Sequence, residues 1–328
     1  MANASVRVSV VTAVRNGGPT VAASLAGVLG QEAPAFEVIV IDDGSTDETP
    51  RILAEAASRD SRITVLRTDG EGLTAALCRG IAAASGDYIA RHDLDDVSLP
   101  GRFSAQVAGL DARPDIAALG TAADIIDERG RRVGAFPTVS GPDAVRRGLL
   151  TLRATPVHGA MMIRRSVLQA VGTYRTAFTA AQDYDLWLRM TDRHAIDILP
   201  TPFYQWRLNR ASTYAQRRSE QLQLAGIARV FADERAQFGE DSYAALVAAA
   251  GNREQFAAGY RCRGRLEAWW GELLYRGLND PRVARKHLTA ALKAGTWRPR
   301  TFPLWLWASA GLPWPGRSPL SAAPEVAH

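Results

Sequence analysis

The chain has 328 residues, 47% of them hydrophobic and 22% charged, with a formal net charge of +5. That length can bury one large core or two smaller ones, and the composition excludes a disordered, fibrous or multispanning membrane protein. The charge is uneven: residues 253–318 hold twelve Arg and Lys against four Asp and Glu, so the basic excess belongs to the C-terminal part.

Cys78 and Cys262 are the only cysteines, and neither has a metal-ligand or CxxC spacing, which fits a reducing compartment. The first residues lack a charged segment followed by an apolar one, so no signal peptide is expected. The expected location is cytoplasmic, with peripheral attachment to the inner membrane face as an option. Phe302 to Trp314 is the most apolar late stretch. It falls short of the roughly 20 residues of a spanning helix and suits a membrane interface instead.

In chain order, Val6 to Val14 is a nearly continuous apolar run, as in a central parallel strand. Helical spacing follows from Pro19 to Leu29, then a strand from Phe36 to Ile41. A helix capped by Ser45 or Thr46 runs to about Ser58. Ile63 to Leu66 is a third strand, Leu73 to Ala84 an Ala-rich helix, and Tyr88 to Ala90 a fourth strand. Four strand–helix alternations in about a hundred residues predict a parallel, doubly wound sheet. Arg102 to Ala112 reads as helix, Ile116 to Gly120 as a short strand, and 130–142 as loop. Ala160 to Ile163 reads as strand, Asp183 to Thr191 as helix, and Ala195 to Leu199 and Phe203 to Arg207 as two strands. Beyond Tyr214 only helices are expected, at Gln216 to Phe238, Gln255 to Leu278 and Pro281 to Ala294.

Four polar clusters sit at expected strand ends. They are Ala13-Val14-Arg15-Asn16-Gly17, Asp42-Asp43-Gly44-Ser45-Thr46-Asp47, Arg91-His92-Asp93-Leu94-Asp95-Asp96, and Gln182-Asp183-Tyr184-Asp185-Leu186-Trp187. Open α/β sheets bind ligands beyond the carboxyl ends of their strands. Carboxylates as crowded as Asp93, Asp95 and Asp96 repel one another unless a cation neutralises them. Hard oxygen ligands of this kind suit Mg²⁺ or Mn²⁺ holding a diphosphate. The alternative is an acidic turn capping a helix from Ser98.

As a set and in this order, the motifs resemble those of family 2 glycosyltransferases, inverting enzymes of the GT-A fold; the resemblance runs from about Val6 to Ser212. It implies a Rossmann-like, mostly parallel sheet flanked by helices. The catalytic domain would span 1–215, with a nucleotide-binding half at 1–105 and an acceptor half at 106–215. A basic helical region at 216–328 would follow. Asp43 would accept a hydrogen bond from a uracil-like base while Asp42 braces the loop. Ala13 and Arg15 would line the nucleotide site, where most members have Pro and an aromatic residue. Asp95 would be the metal ligand, Asp93 the ribose or metal-shell carboxylate, and Asp96 a supporting or helix-capping acid. Arg91 would contact the acids or phosphate, or else form a structural salt bridge. Asp183 would be the general base, with Gln182 in place of the usual Glu. Trp187 is either an acceptor platform or core. Asp185 and Arg189 are assigned structural roles, Arg189 through a salt bridge. Arg207 or Arg210 would close over the diphosphate. His158 would bind acceptor or phosphate, or be a satisfied buried histidine.

The implied reaction moves a sugar from a nucleotide-diphosphate donor, UDP-linked by preference, to a glycan or lipid-linked acceptor. A sugar nucleotidyltransferase and an idle nucleotide-sugar-binding scaffold are the competing readings. In 253–318 the basic residues mix with Trp269, Trp270, Trp297, Trp305 and Trp307. That mixture suits an anionic membrane surface, or a solvated face over a Trp-containing core. No nucleic-acid motif is present. A homodimer through the helical tail is a further option.

Overall fold

The computed structural model describes residues 6–32, 35–152, 154–208, 217–259, 263–295 and 301–313. Arg210 lies outside the described residues. By contact density the chain divides into two compact units, one of 1–179 with 189–209 and one of 180–188 with 210–328.

The first unit opens with β1 (Val8–Val14), α1 (Gly18–Leu29), β2 (Phe36–Asp43), α2 (Thr49–Arg59), β3 (Ile63–Thr68), α3 (Leu73–Ala83) and β4 (Tyr88–Arg91). It continues with β5 (Val97–Ser98), α4 (Arg102–Asp111), β6 (Ile116–Ile126), β7 (Arg132–Ala135), α5 (Pro142–Thr151), β8 (Met162–Arg164) and α6 (Arg165–Val171). Helix α7 (Gln182–Met190) starts in the second unit, and β9 (Ala195–Arg207) returns to the first.

One sheet has the order β3-β2-β1-β4-β8-β6-β9-β5, with β7 beside β6. The first four strands are parallel, as the alternation of strands and helices requires. Strand β8 enters antiparallel between β4 and β6, and β6 pairs parallel with β9. The sheet is therefore mixed, its added strands lying beyond the parallel half. Burial follows the sequence pattern: Val8, Val10, Val38, Val40 and Ala90 pack against Val21, Leu25, Val28 and Leu53 of α1 and α2.

Several expected boundaries shift. Helix α2 begins at Thr49, because Ser45 is engaged elsewhere and Asp47 Oδ1 accepts the Thr49 amide instead. The 130–142 stretch contains β7 and leads directly into α5. The Ala195–Leu199 and Phe203–Arg207 segments form one strand. Register shifts let it pass Pro200 and Pro202 without losing its partner β6.

The second unit adds α8 (Arg218–Phe238), α9 (Tyr243–Ala248), α10 (Arg253–Gly259), α11 (Arg263–Leu278), α12 (Pro281–Lys293) and α13 (Thr301–Ser309). The single helix expected over Gln255 to Leu278 is divided between α10 and α11. Tyr275, Ala284, Leu288, Leu304 and Ala308 form a core shared by α11, α12 and α13. Among the described residues, no helix is long and apolar enough to cross a membrane.

Candidate active site

The carboxyl ends of β1, β2 and β3 are stitched together by polar side chains. Asn16, in the left-handed conformation at φ 56, donates its amide to Ser45 Oγ at 3.0 Å. Its Oδ1 accepts the Thr46 amide at 2.8 Å. Gly17 N donates to Thr49 Oγ1 at 3.0 Å and Gly18 N to Asp47 Oδ2 at 3.1 Å. Asp42 Oδ1 accepts the Ser45 amide at 3.0 Å.

Asp43 is almost fully buried. Its Oδ1 accepts from Thr68 Oγ1 at 2.7 Å and Glu71 N at 2.8 Å, and Oδ2 accepts from Gly72 N at 2.9 Å. It therefore holds the 69–72 loop as well as pointing to the strand ends, so the loop bracing expected of Asp42 is shared by both acids. Three of roughly four acceptor positions on the carboxylate are used. Gly44 at φ +72 approaches Gly70 so closely that a Cβ would sit 3.0 Å from the Gly70 nitrogen. The Arg15 guanidinium lies across Gly70, 3.3 Å from where a Cβ would be. Ala13, beside Ile41 in the sheet, completes this corner.

Beyond β4 lies the acid cluster, together with two buried arginines. Arg91 is fully buried. It donates through Nη1 to the Val11 carbonyl at 2.5 Å and the His92 carbonyl at 2.9 Å, through Nε to His158 Nε2 at 3.2 Å, and through Nη2 to Asp93 Oδ1 at 2.5 Å. Of the readings open for Arg91, the structure shows the contact with an acid, Asp93, made by a guanidinium with no exposed surface. Arg102 is equally buried and donates to neutral acceptors: Ser98 Oγ, Gln106 Oε1 and the carbonyls of Arg91 and Met161. Burial lowers its pKa to about 10.

Tyr204, fully buried on β9, ties the acids together. Its hydroxyl accepts the Asp93 amide at 3.2 Å and donates to Asp96 Oδ2 at 2.7 Å. Asp96 Oδ1 accepts the Arg207 amide at 2.7 Å. Asp96 caps no helix, since α4 starts at Arg102 and Val97–Ser98 pairs with β9. Gly159 makes room for this hydroxyl: a Cβ there would run into it and come within 2.9 Å of Asp93 Oδ2. Arg207 donates through Nε to the Asp95 carbonyl at 2.8 Å and through Nη1 to the carbonyls of Asp127 and Glu128.

Burial would raise the Asp93 carboxyl, but the Arg91 guanidinium holds it below its ordinary range. Asp95 is half-buried, and among the described residues no side chain donates a hydrogen bond to its carboxylate. Burial, then the neighbouring Asp93 charge, raises its pKa to about 6. Burial, then Asp95 and Asp93, pushes Asp96 well above the carboxylate range. Both histidines are neutral, lowered to about 3 mainly by burial. His158 Nε2 accepts from Arg91, which can only donate, and lies 2.6 Å from the Tyr174 hydroxyl. It is a satisfied, half-buried histidine.

Among the described residues, no three or more His, Cys, Asp or Glu side chains form a metal-binding group. Mg²⁺ or Mn²⁺ bound through one or two carboxylates and completed by phosphate oxygens needs no such group. Asp95, without a side-chain donor among the described residues and crowded by a second negative charge, fits that mode.

Asp183 is half-buried at the second position of α7. Helix peptide dipoles favour a negative charge there. The preceding residue, Ala181, is held at φ 55, a conformation unusual for a residue with a Cβ. Trp187 and Asp185 are buried within α7. Arg189 anchors the end of the helix by donating to the carbonyls of Val171, Gly172 and Thr173 at 2.7–3.1 Å. The structure brings Arg91, Asp93, Asp95, Asp96, His158 and Arg207 together, and separately Ala13, Arg15 and Asp43.

Sequence reasoning missed Arg102 and Tyr204. Their signal was polarity at core positions: Arg102 and Gln106 share a helix face with Phe103 and Leu110, and all four are buried.

The "Glycosyl transferase family 2" model matches residues 9–172. The putative glycosyltransferase EpsE of Bacillus subtilis is 36% identical over 57% of this chain and 67% of its own length. The O-antigen biosynthesis protein RfbC of Myxococcus xanthus is 34% identical over 58% of this chain but only 15% of its own length. S. aureus TarS 1–349 in complex with UDP-GlcNAc covers 93% of this chain and 92% of its own, with TM-score 0.61 and 18% identity. The mannosyltransferase PcManGT from Pyrobaculum calidifontis, in complex with GDP-Man and Mn²⁺, covers 93% of this chain and 79% of its own, with TM-score 0.57 and 19% identity. The shared architecture is the GT-A fold, with a helical C-terminal region.

Proposed function

Because the chain belongs to glycosyl transferase family 2 and is a glycosyltransferase, we propose that it is a metal-assisted inverting enzyme. It uses a nucleotide-diphosphate sugar, UDP-linked by preference, and a glycan or lipid-linked acceptor. The observation that carries the metal site is the Asp95 carboxylate: half-buried, without a side-chain donor among the described residues, and next to Asp93, which Arg91 keeps ionised. Asp95, with Asp93 beside it, would hold Mn²⁺ or Mg²⁺, which when bound offsets the charge growing on the leaving diphosphate.

The protein residues supply the rest. Ala13, Arg15 and the loop held by Asp43 form the nucleotide corner. The Arg15 guanidinium offers a flat face for stacking, and Asp43 Oδ2 keeps an acceptor position for an imide N–H. Asp183 takes the proton of the acceptor hydroxyl as that oxygen attacks the anomeric carbon. The new glycosidic bond forms as the bond to the diphosphate breaks on the opposite face. Arg91, Arg207 and His158 position the acid loop and do not touch the donor. The basic region 253–318 serves as a peripheral contact with an anionic membrane surface.

Calorimetric titration with UDP, GDP and dTDP, with and without Mn²⁺, tests this reading on the wild type and on Asp95→Ala. One nucleotide should bind in a Mn²⁺-dependent manner, and the variant should lose that dependence. Equal binding with and without metal would remove Asp95 from the role.

A further inference from the structure

Helix α13 has no charged residue, and neither does the stretch that follows it to Pro313. One face is accounted for. Thr301, Leu304 and Ala308 are buried, and Leu304 and Ala308 pack with Tyr275, Ala284 and Leu288. Trp305 Nε1 donates to Thr289 Oγ1 of α12 at 2.9 Å. On the opposite face, Phe302 is 41%, Leu306 50% and Trp307 40% exposed. After the turn at Gly311, Leu312 is exposed as well. The Tyr275 hydroxyl bonds to the Leu312 carbonyl and Trp307 Nε1 to the Pro313 carbonyl, so this ridge is fixed to the bundle. A surface helix ordinarily turns a polar face to water. This one carries no charged side chain on either face.

The neighbouring helix supplies the charge. Arg282, Arg285, Lys286 and Lys293 of α12 are exposed, and the helix contains no acidic residue. Positions 282, 285, 286, 289 and 293 recur at helical spacing on one side. Thr289, where Trp305 docks, lies within that stripe, so the cations flank the apolar ridge. At about 1.5 Å per residue α13 is too short to cross a bilayer. Aromatic and aliphatic side chains beside a row of cations suit a helix lying in the plane of an anionic lipid surface. A second copy of the chain is a worse match, because an isologous contact would set two identical cationic stripes against each other.

We propose that α13 is an in-plane docking helix for anionic lipid, with Phe302, Leu306 and Trp307 inserted among the acyl chains and the α12 stripe on the headgroups. The inference rests on the membrane reading of 253–318 and is independent of the transfer chemistry.

The test is co-sedimentation of the full chain with vesicles of phosphatidylcholine alone and of phosphatidylcholine mixed with phosphatidylglycerol. Two double variants are compared with wild type: Phe302→Ser with Leu306→Ser, and Arg282→Glu with Lys286→Glu. Wild type should bind the anionic vesicles with a blue shift of tryptophan emission, and each variant should bind roughly tenfold more weakly or worse. The altered side chains are exposed, so circular dichroism melting and nucleotide titration should match wild type. No wild-type binding, or unchanged binding in either variant, overturns the proposal. A concentration-dependent dimer abolished by Leu306→Ser, without vesicle binding, would instead assign the ridge to a second copy. Loss of nucleotide binding in every protein would remove the donor reading and leave this one standing.

Discussion

The Tyr204 hydroxyl donates to Asp96 at 2.7 Å while accepting the Asp93 amide at 3.2 Å, so one buried phenol fixes two residues of the acid loop. Tyr204→Phe deletes both bonds at nearly constant volume. Leaving a buried polar group without its partner costs about 1–3 kcal/mol. The variant should melt earlier and bind Mn²⁺ with nucleotide roughly tenfold more weakly, measured by calorimetry. Unchanged metal-dependent affinity would reduce Tyr204 to core packing.

Asp95 has a pH signature. Its folded pKa, raised to about 6, exceeds the ordinary carboxylate value, so the folded state holds the proton more tightly. In metal-free protein its contribution to stability is present at low pH and lost as pH rises from about 4 through about 6. Asp95→Asn lacks that loss. The melting temperature of the variant relative to wild type should climb across this window and then level off. A flat difference would mean that Asp95 is not crowded in solution.

His92 works in the other direction. Burial, then the Arg102 charge, lowers its pKa to about 3, and the ring rests 2.7 Å from Ser24 Oγ and 3.2 Å from Ser98 Oγ. The unfolded chain therefore takes up the proton first, and stability falls as pH drops from about 6.5 toward 3. His92→Gln should show a shallower acid slope in thermal melts. An identical slope would place the acid sensitivity elsewhere.

Asp43, the proposed base-reading acid, also holds the 69–72 loop. Asp43→Ala leaves the amides of Glu71 and Gly72 and the Thr68 hydroxyl without their acceptor, so denaturant unfolding should show a loss of about 2–4 kcal/mol. A base-reading residue with no part in the loop would lose nucleotide affinity at unchanged stability.

Asp183→Asn keeps the size of the side chain and removes the proposed base. Turnover should fall at least about a hundredfold while nucleotide affinity stays at the wild-type value. Normal turnover in the variant would exclude Asp183 as the base.

The parallel half of the sheet was legible because its strands are buried on both faces, which writes each as an apolar run ending in a polar cluster. The second half was less legible. β5 spans two residues, too short for a periodic signal. β9 contains Pro200 and Pro202, which a local reading treats as a break, yet its partner β6 absorbs both by shifting register.

At the site, the sequence placed Asp93, Asp95 and Asp96 at a strand end, and the motif order pointed to the family. It did not separate a carboxylate that is paired from one left open. Arg91 takes Asp93, Tyr204 and the Arg207 amide take Asp96, and among the described residues no side chain donates to Asp95. The chain itself determined where polar residues interrupt apolar runs, because helix and strand periodicities are local. Which donor meets which acid was decided only by tertiary structure. Tyr204 and Asp96 stand 108 residues apart, and only the packing of β9 beside β5 brings that hydroxyl under the acid loop.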